Sequence, residues 1–339
     1  MNTPTRRSHA GFWIVIAILG LGLCLSVLAN FGLLLGLAFM GGGSAPVRLE
    51  AEDEFPKLKE TWSYGHGSVK AARIPVNGVI MRESDAGFFG VGLDQVEAVL
   101  RQIRSAQNDS AVKAIILEVD SPGGAITPTD EIYRALTNFK ASGKDRKVVV
   151  LVQGMAASGG YYVAMASDWI IAEPTALIGS ISVIIQTLNW KDLSDKLGIQ
   201  DVTIKSGKNK DLLNPFREVN PEQLAMFQTI VDNLHQHFVD IVKKGRSLEE
   251  SALQKMCDGS VFSATEAKQR HMIDQTGYWS DAVAKTAQLL GQSSVRVIRY
   301  EERSSFANWL AELRGPSLQL GLPRWLNVDG PRIMYLWRP

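Results

Sequence analysis

Cysteine is scarce. The chain has two, Cys24 and Cys257, too few for a disulfide framework, and Cys24 lies in an apolar run where pairing with Cys257 is not expected. Net charge is almost absent as well: 36 Lys and Arg stand against 35 Asp and Glu, leaving no general field for a polyanion such as nucleic acid. There are five histidines and no His-Glu-x-x-His, paired Cys-x-x-Cys or Walker loop, so neither a metal nor a nucleotide cofactor is expected. His9, His66 and His271 stand apart from one another. His235 and His237 are two positions apart, which turns them to different sides of a helix and reads them as exposed helix positions. No repeat of fixed period is evident. At 45% hydrophobic and 21% charged residues, the composition excludes a wholly disordered chain.

Charge is missing altogether from Gly11 to Met40, thirty consecutive residues. As a helix this run would be roughly 45 Å long, more than the hydrocarbon core of a bilayer requires. A cleaved signal peptide has an apolar region of only about 7–15 residues, so the run reads as an uncleaved anchor. Arg6-Arg7 faintly resembles a twin-arginine signal, which the length of the run argues against. The only charged residues among the first forty are Arg6 and Arg7; without them the 36 basic residues become 34 against 35 acidic ones. After the span come Gly41-Gly42-Gly43-Ser44 and then Glu50, Glu52, Asp53 and Glu54. Basic flanks stay in the cytoplasm, so a single pass through the inner (cytoplasmic) membrane is expected, with the body on the extracytoplasmic side. The implied division is a cytoplasmic tail 1–10, an anchor 11–40, a linker 41–68, a folded domain 69–300 and a C-terminal tail 301–339.

The body alternates short β-branched runs with amphipathic stretches. Ala71–Val76, Asn77-Gly78 and Val79-Ile80 read as strand, turn and strand. Leu93–Ala106 puts Val96, Val99, Leu100 and Ile103 on one helical face. Ala114–Val119 reads as a buried strand ending at Ser121-Pro122-Gly123-Gly124. A helix from about Thr129 to Phe139 leads to a second buried strand, Val148–Val152, followed by the Gly-rich segment Gly154–Gly160 and a short apolar helix from Tyr161. Strands near Trp169–Ala172 and Ser182–Ile185 follow. This order predicts an α/β fold with a parallel sheet. Beyond Pro221, Glu222–Lys244 is a long amphipathic helix whose stripe is Leu224, Phe227, Ile230, Val231, Leu234 and Phe238. Helices at about Leu248–Met256, Ala264–Arg270 and Ser280–Leu290 and a strand at Val295–Tyr300 complete the domain. The tail from Pro316, rich in Pro, Gly, Leu and Trp, could dock, pair with another subunit or stay mobile.

Both Gly-rich turns follow buried strands and should share one sheet edge, where α/β proteins place ligands. Ser158 falls where the second turn opens a helix. Its hydroxyl would lie beside unpaired N–H groups that favour developing negative charge, although a serine there is also a common helix cap. None of the histidines is placed to act as its base. A lysine could serve instead, from the loop Ser206–Phe216, if its surroundings removed its charge; the plainer reading of that loop is a solvated basic turn.

On these residues the chain resembles the signal peptide peptidase A (protease IV) family of membrane-anchored serine proteases, within the Clp protease–crotonase fold group. The matching segments are Asp120–Gly124, Met155–Tyr162, Gly179–Ile181 and Ser206–Arg217, and the resemblance covers about residues 70–290. It implies Ser158 as nucleophile, Lys210 as general base and Ser180 as the residue that orients the lysine. The backbone N–H groups of Gly124 and Gly159 would form the oxyanion hole, with Lys205 and Lys208 as bystanders. Asp120 and Ser182 depart from the family's usual Asn and Gly. With one catalytic unit rather than two, the short form implies a homo-oligomeric ring in which serine and lysine meet across subunits. The implied activity is a serine endopeptidase acting on cleaved signal peptides, other hydrophobic peptides and misfolded exported proteins. Two rivals share the fold: a crotonase-like acyl-CoA enzyme, which needs no Ser-Lys pair, and a non-catalytic membrane scaffold.

Overall fold

The computed structural model of the chain describes residues 10–41, 54–82, 94–246, 248, 253, 255–301 and 333–337. The chain divides into two compact units, Met1–Ala51 and Glu52–Pro339.

Among its described residues the first unit contains one helix, α1 (Ala10–Gly41, 32 residues). Its described side chains, those of residues 18–33, are all exposed. Asn30 Nδ2 donates to the Ser26 carbonyl at 2.7 Å, so this amide is satisfied within the helix itself. Among the described residues no helix is long and apolar enough to cross a membrane. The side chains at both ends of the expected anchor, 11–17 and 34–40, lie outside the described residues, as do residues 1–9 and 42–53.

The second unit runs β1 (Lys59–Tyr64), β2 (Lys70–Asn77), α2 (Gln95–Asn108), β3 (Val112–Ser121), β4 (Gly123–Ala125), α3 (Ile126–Ala141), β5 (Lys147–Ala157), α4 (Gly159–Ala164), β6 (Trp169–Ala172), β7 (Leu177–Gly179), β8 (Ile184–Ile185), α5 (Lys191–Lys196), α6 (Pro221–Gly245), β9 (Val261–Ser263), α7 (Ala264–Gln269), β10 (Gln275–Thr276), α8 (Trp279–Leu289), β11 (Arg296–Glu301) and β12 (Ile333–Leu336). The main sheet has nine strands in the order β1-β11-β2-β3-β5-β6-β10, with β7 beside the end of β5 and β9 beside β7. All its pairings are parallel except β1 with β11 and β7 with β9. The expected parallel sheet is thus present.

The strands are apolar almost without interruption because both faces of the sheet are covered. Side chains alternate across a strand, and the alternation divides the core in two. Ile115, Leu117, Val119, Val148, Val150 and Val152 belong to one cluster, with Val96 and Ile103 of α2 and Ile132 and Leu136 of α3. Ala114, Ile116, Val149 and Leu151 belong to the other, against Ala282, Val283 and Ala287 of α8. Each fully buried Val, Ile or Leu contributes on the order of 1.5–3 kcal/mol. Arg73 and Glu118 also form a two-pronged ion pair (Nη2 to Oε1 2.7 Å) on the α8 side, with the guanidinium 4.3 Å from the Trp279 ring centroid.

Several boundaries differ from the sequence reading. Val79-Ile80 is not a second strand: Ile80 makes only a single parallel bridge to Gly124. Helix α3 starts at Ile126, three residues before the expected Thr129, and takes Pro128 into its first turn, where a missing N–H costs nothing. Strand β5 does not stop at Val152 but runs through Gly154 to Ala157, held by β7. The expected helix Leu248–Met256 falls largely outside the described residues. In α6 the apolar stripe is buried only towards its end, at Phe238, Ile241 and Val242, while Leu224 and Ile230 stay exposed.

Candidate active site

Strands β3 and β5 are parallel neighbours, so the turns at their C-terminal ends meet. At the first turn Ser121, fully buried, donates its hydroxyl to the Gly78 carbonyl (2.6 Å) and accepts from the Gly123 amide (3.1 Å). Gly123 has φ +95°, a region closed to other residues in practice, and a Cβ there would stand 2.6 Å from the Gly159 nitrogen. A Cβ on Gly159 would stand 3.1 Å from Gly123 Cα and 3.2 Å from the Gly124 nitrogen. The two turns are therefore in direct backbone contact, and the amides of Gly124 and Gly159 are neighbours.

Ser158 sits between β5 and α4 at φ 53° and ψ −116°. Its amide donates to the Gly179 carbonyl (2.7 Å) and its carbonyl accepts from Tyr162 (2.9 Å). The reading of Ser158 as a simple helix cap fails, because the side chain makes no capping hydrogen bond. The residue is 1% exposed and its Oγ has no hydrogen-bond partner among the described residues. Positive φ in a non-glycine residue and a buried hydroxyl left unsatisfied each cost on the order of 1–3 kcal/mol. Such features survive only where the surrounding structure enforces them, and they gather at functional sites.

Ser180 joins this arrangement through strand register. The last pair of the β5–β7 ladder is Ala157 with Gly179, so Ser158 and Ser180 are the next residue on each strand. Both have φ 53°, and both are buried. The Ser180 amide donates to Ser260 O at 2.7 Å.

Lys210 makes no hydrogen bond to Ser158 Oγ, which has no partner among the described residues. It is exposed, and its amide donates to Gly207 O at 3.1 Å. The other lysines of the loop are occupied. Lys205 pairs with Asp211, which also binds Arg217 at 2.9 Å, and Lys208 pairs with Glu222 at 2.8 Å. The Glu222 carboxylate raises the pKa of Lys208 and so fixes its charge. Among the described residues Lys210 has no such partner. Around this loop lies much uncovered apolar surface, with Val202 at 83% and Ile204 at 98% exposure alongside Leu197, Ile199 and Leu224.

The departures Asp120 and Ser182 fall to the side. The Asp120 carboxylate lies against Gly154, with Oδ1 2.6 Å from where its Cβ would stand, and Ser182 Oγ lies near Gly259. His237 is exposed, as the sequence reading expects, with its Nε2 3.1 Å from the Tyr162 hydroxyl, which donates to Asp130 at 2.6 Å; His235 is instead half-buried, its Nε2 buried with no partner among the described residues. Burial and the bond to Asp130 push the Tyr162 pKa up, so the phenol stays neutral. No cluster of metal-binding side chains occurs among the described residues.

Sequence reasoning left the role of the tail open, and the structure brings its end to the site. Strand β12 lies between β4 and β8 in a three-stranded sheet, antiparallel to both. Nothing local in Ile333–Leu336 announces this beyond an apolar run, because strand addition is a long-range event. Chemically, the centre of the site can offer a partnerless hydroxyl to an electrophile beside clustered backbone amides able to receive negative charge.

Comparison with known proteins finds protease families and protease relatives. Residues 139–293 match the model of peptidase family S49, and residues 70–197 match that of the ClpP-like SDH-type serine proteinases. A putative signal peptide peptidase SppA of Enterococcus faecium is 34% identical over 74% of this chain and 73% of its own length. The putative protease slr0021 of Synechocystis is 32% identical over 66% of this chain and 75% of its own. Protease 4 of Haemophilus influenzae is 27% identical over 84% of this chain but only 46% of its own length.

Proposed function

Since the chain belongs to peptidase family S49 and is a serine protease, we propose that it is a membrane-anchored endopeptidase using Ser158 as nucleophile and Lys210 of an adjoining copy as general base. The observation that carries this reading is the Ser158 side chain, buried, partnerless and held in a strained strand-to-helix turn. In the reaction a neutral Lys210 takes the Ser158 proton as Oγ attacks a peptide carbonyl, and then passes it to the leaving amine. The developing oxyanion is received by the amides of Gly124 and Gly159; one such donor is worth about 2.7–4 kcal/mol. Ser180, one step beyond the last β5–β7 pair, positions the lysine amine beside Ser158.

A base supplied from a neighbour fits two features of the isolated chain. The lysine has no ion-pair partner among the described residues, and the segment that carries it exposes apolar side chains that monomers rarely leave uncovered. A ring of copies would cover that surface. Peptide would enter extended, as an added strand along β4, which suits apolar sequences such as cleaved signal peptides. The E. faecium relative, by its name a signal peptide peptidase, supports that substrate class. The charge-free helix behind Arg6 and Arg7 would hold the protease on the outer side of the inner membrane.

The test is complementation between inactive copies. Ser158→Ala and Lys210→Ala should each abolish hydrolysis of an apolar peptide. Co-expressed in equal amounts, they should recover roughly one quarter of wild-type activity, the share of sites pairing an intact serine with an intact neighbouring lysine in a head-to-tail ring. No recovery from a mixture shown by mass to be co-assembled would rule out the shared site.

A further inference from the structure

An amide serves an oxyanion only if its peptide plane is turned towards it, and a trans peptide points its N–H opposite to its C=O. The direction of the Gly124 N–H is therefore set by whatever holds the Gly123 carbonyl. That carbonyl accepts from the Ile80 amide at 2.8 Å, and the Ala125 amide donates back to Ile80 O at 2.7 Å. One edge of β4 is thus occupied by Ile80, and the Gly124 N–H is turned to the other. The contact is close: a Cβ on Gly124 would stand 2.0 Å from Ile80 O.

Ile80 is itself placed by the turn before it, and one side chain ties that turn to the glycines. The β2–β3 ladder ends with Asn77 opposite Asp120, and the Gly78 amide still reaches Asp120 O at 2.8 Å. Beyond that point the link is made by Ser121. Its Oγ donates to the Gly78 carbonyl and accepts from the Gly123 amide. Gly123 is thereby held at both of its main-chain groups, by Ser121 at the nitrogen and by Ile80 at the carbonyl. A serine that accepts from the amide two residues on forms a turn in its own right. Here the hydroxyl is also fully buried and gives its single proton to a second segment, which a local turn does not require.

We infer that Ser121 is a positioning residue for the oxyanion site: its clamped hydroxyl fixes Gly123 against Gly78–Ile80 and so aims the Gly124 N–H. Being fully buried, it touches no substrate atom. The inference rests on the reading of Gly124 as an oxyanion donor and adds what holds that donor in place. A neutral peptide carbonyl gains little from a well-aimed amide, whereas the charged oxyanion gains much, so the clamp should act on kcat and leave KM nearly unchanged. Removing an oxyanion donor outright lowers kcat about 100- to 1,000-fold, and misaiming one should cost on the order of 10- to 100-fold.

The test compares wild type, Ser121→Ala and Ser158→Ala in the full chain, with the folded fraction of each measured by thermal denaturation. Per folded chain, Ser121→Ala should lower kcat for an apolar peptide on the order of 10- to 100-fold, with KM within about twofold. Binding is then read with one apolar peptide in two forms. One ends in an aldehyde, to which the Ser158 hydroxyl adds to give a tetrahedral adduct; the other ends in the corresponding alcohol, which forms none. In wild type the aldehyde should bind far more tightly. Ser121→Ala should shrink that advantage by about the factor lost in kcat, while the alcohol binds as before. A merely structural serine would lower the folded fraction and leave the ratio alone. Should Ser121→Ala leave too little folded chain, Ser121→Cys replaces both bonds by weak sulfur ones and should shift the ratio in the same direction. An unchanged ratio in the folded Ser121 variant, or a loss that falls on KM, overturns the inference while Ser158→Ala still abolishes the aldehyde's advantage. If wild type shows no such advantage, or Ser158→Ala keeps it, the catalytic reading itself fails and the inference falls with it.

Discussion

Ser158→Gly should make the protein more stable while leaving it inactive, and the size of the gain follows from the site. The wild-type residue holds φ 53° with a side chain that has no hydrogen-bond partner although it is 1% exposed. Positive φ in a non-glycine residue costs on the order of 1–3 kcal/mol, and an unsatisfied buried hydroxyl about the same. Glycine removes both, and its greater freedom in the unfolded chain returns roughly 0.5–1 kcal/mol of that gain. The net is a stabilisation of about 1–5 kcal/mol. At roughly 2–4 °C per kcal/mol for a domain of this kind, Tm should rise by several degrees. Ser158→Ala keeps the backbone strain and relieves only the hydroxyl, so its Tm should fall between wild type and Ser158→Gly. Thermal denaturation of the three chains side by side gives the order directly. A Ser158→Gly chain that melts below wild type would mean that the turn is relaxed and that the serine has been misjudged.

Gly123→Ala should do the opposite, because its Cβ would collide with the Tyr335 carbonyl and the Gly159 nitrogen. Stability should fall by on the order of 1–3 kcal/mol from the φ strain alone, and displaced amides should lower kcat by on the order of 100-fold; an active, stable variant would disprove the tight apposition of the two turns. On the pH axis, kcat/KM should climb as pH rises towards the alkaline range, since a lysine base works only after losing its proton. Lys208 is paired with Glu222, whose hydrogen bond raises its pKa and favours the charged form that cannot accept a proton, so Lys208→Ala should leave the pH profile in place. A profile that loses its rise in Lys208→Ala but keeps it in Lys210→Ala would reverse the assignment. Ile116→Ala, deep between the sheet and α8, should cost about 2–5 kcal/mol without altering kcat/KM per folded chain, as thermal melts and active-site titration would report.

The two central strands were legible because burial on both faces forces an unbroken apolar run, as in Ile115-Ile116-Leu117 and Val148–Val152. Their ends were not. Gly154 reads locally as a turn, yet it continues β5 because β7, far along the chain, pairs with Met155–Ala157. The helix was read as starting at about Thr129, yet Pro128 is accepted in the first turn of α3. At the site, residue type gave Ser158 two readings, cap or reactive hydroxyl. The missing capping hydrogen bond decided against the cap, and the backbone there is set by strands β5 and β7 rather than by Ser-Gly-Gly itself. The contact of His237 with Tyr162 was beyond reach, since helical spacing says which residues share a face of α6 and nothing of what lies opposite. For β12 the sequence supplies the apolar side chains, but not the slot they fill.

The strain at Ser158 and Ser180 has a common source, and this separates the two kinds of variant described above. Each serine follows the final pair of one ladder, Ala157 with Gly179, and each is pulled to φ 53° by a main-chain bond, Ser158 to Gly179 and Ser180 to Ser260. The energy that holds them there comes from the sheet behind: β5 is paired to β3 along one side and to β6 and then β7 along the other, with both faces buried. Ile116→Ala weakens that support without moving the ladder ends, so the chains that remain folded keep the site intact. Gly123→Ala leaves the support whole and disturbs the contact between the turns, so folded chains carry a damaged site. If Ile116→Ala lowered kcat/KM per folded chain as far as Gly123→Ala does, the site would not be held by strand register, and the origin assigned to its strain would be wrong.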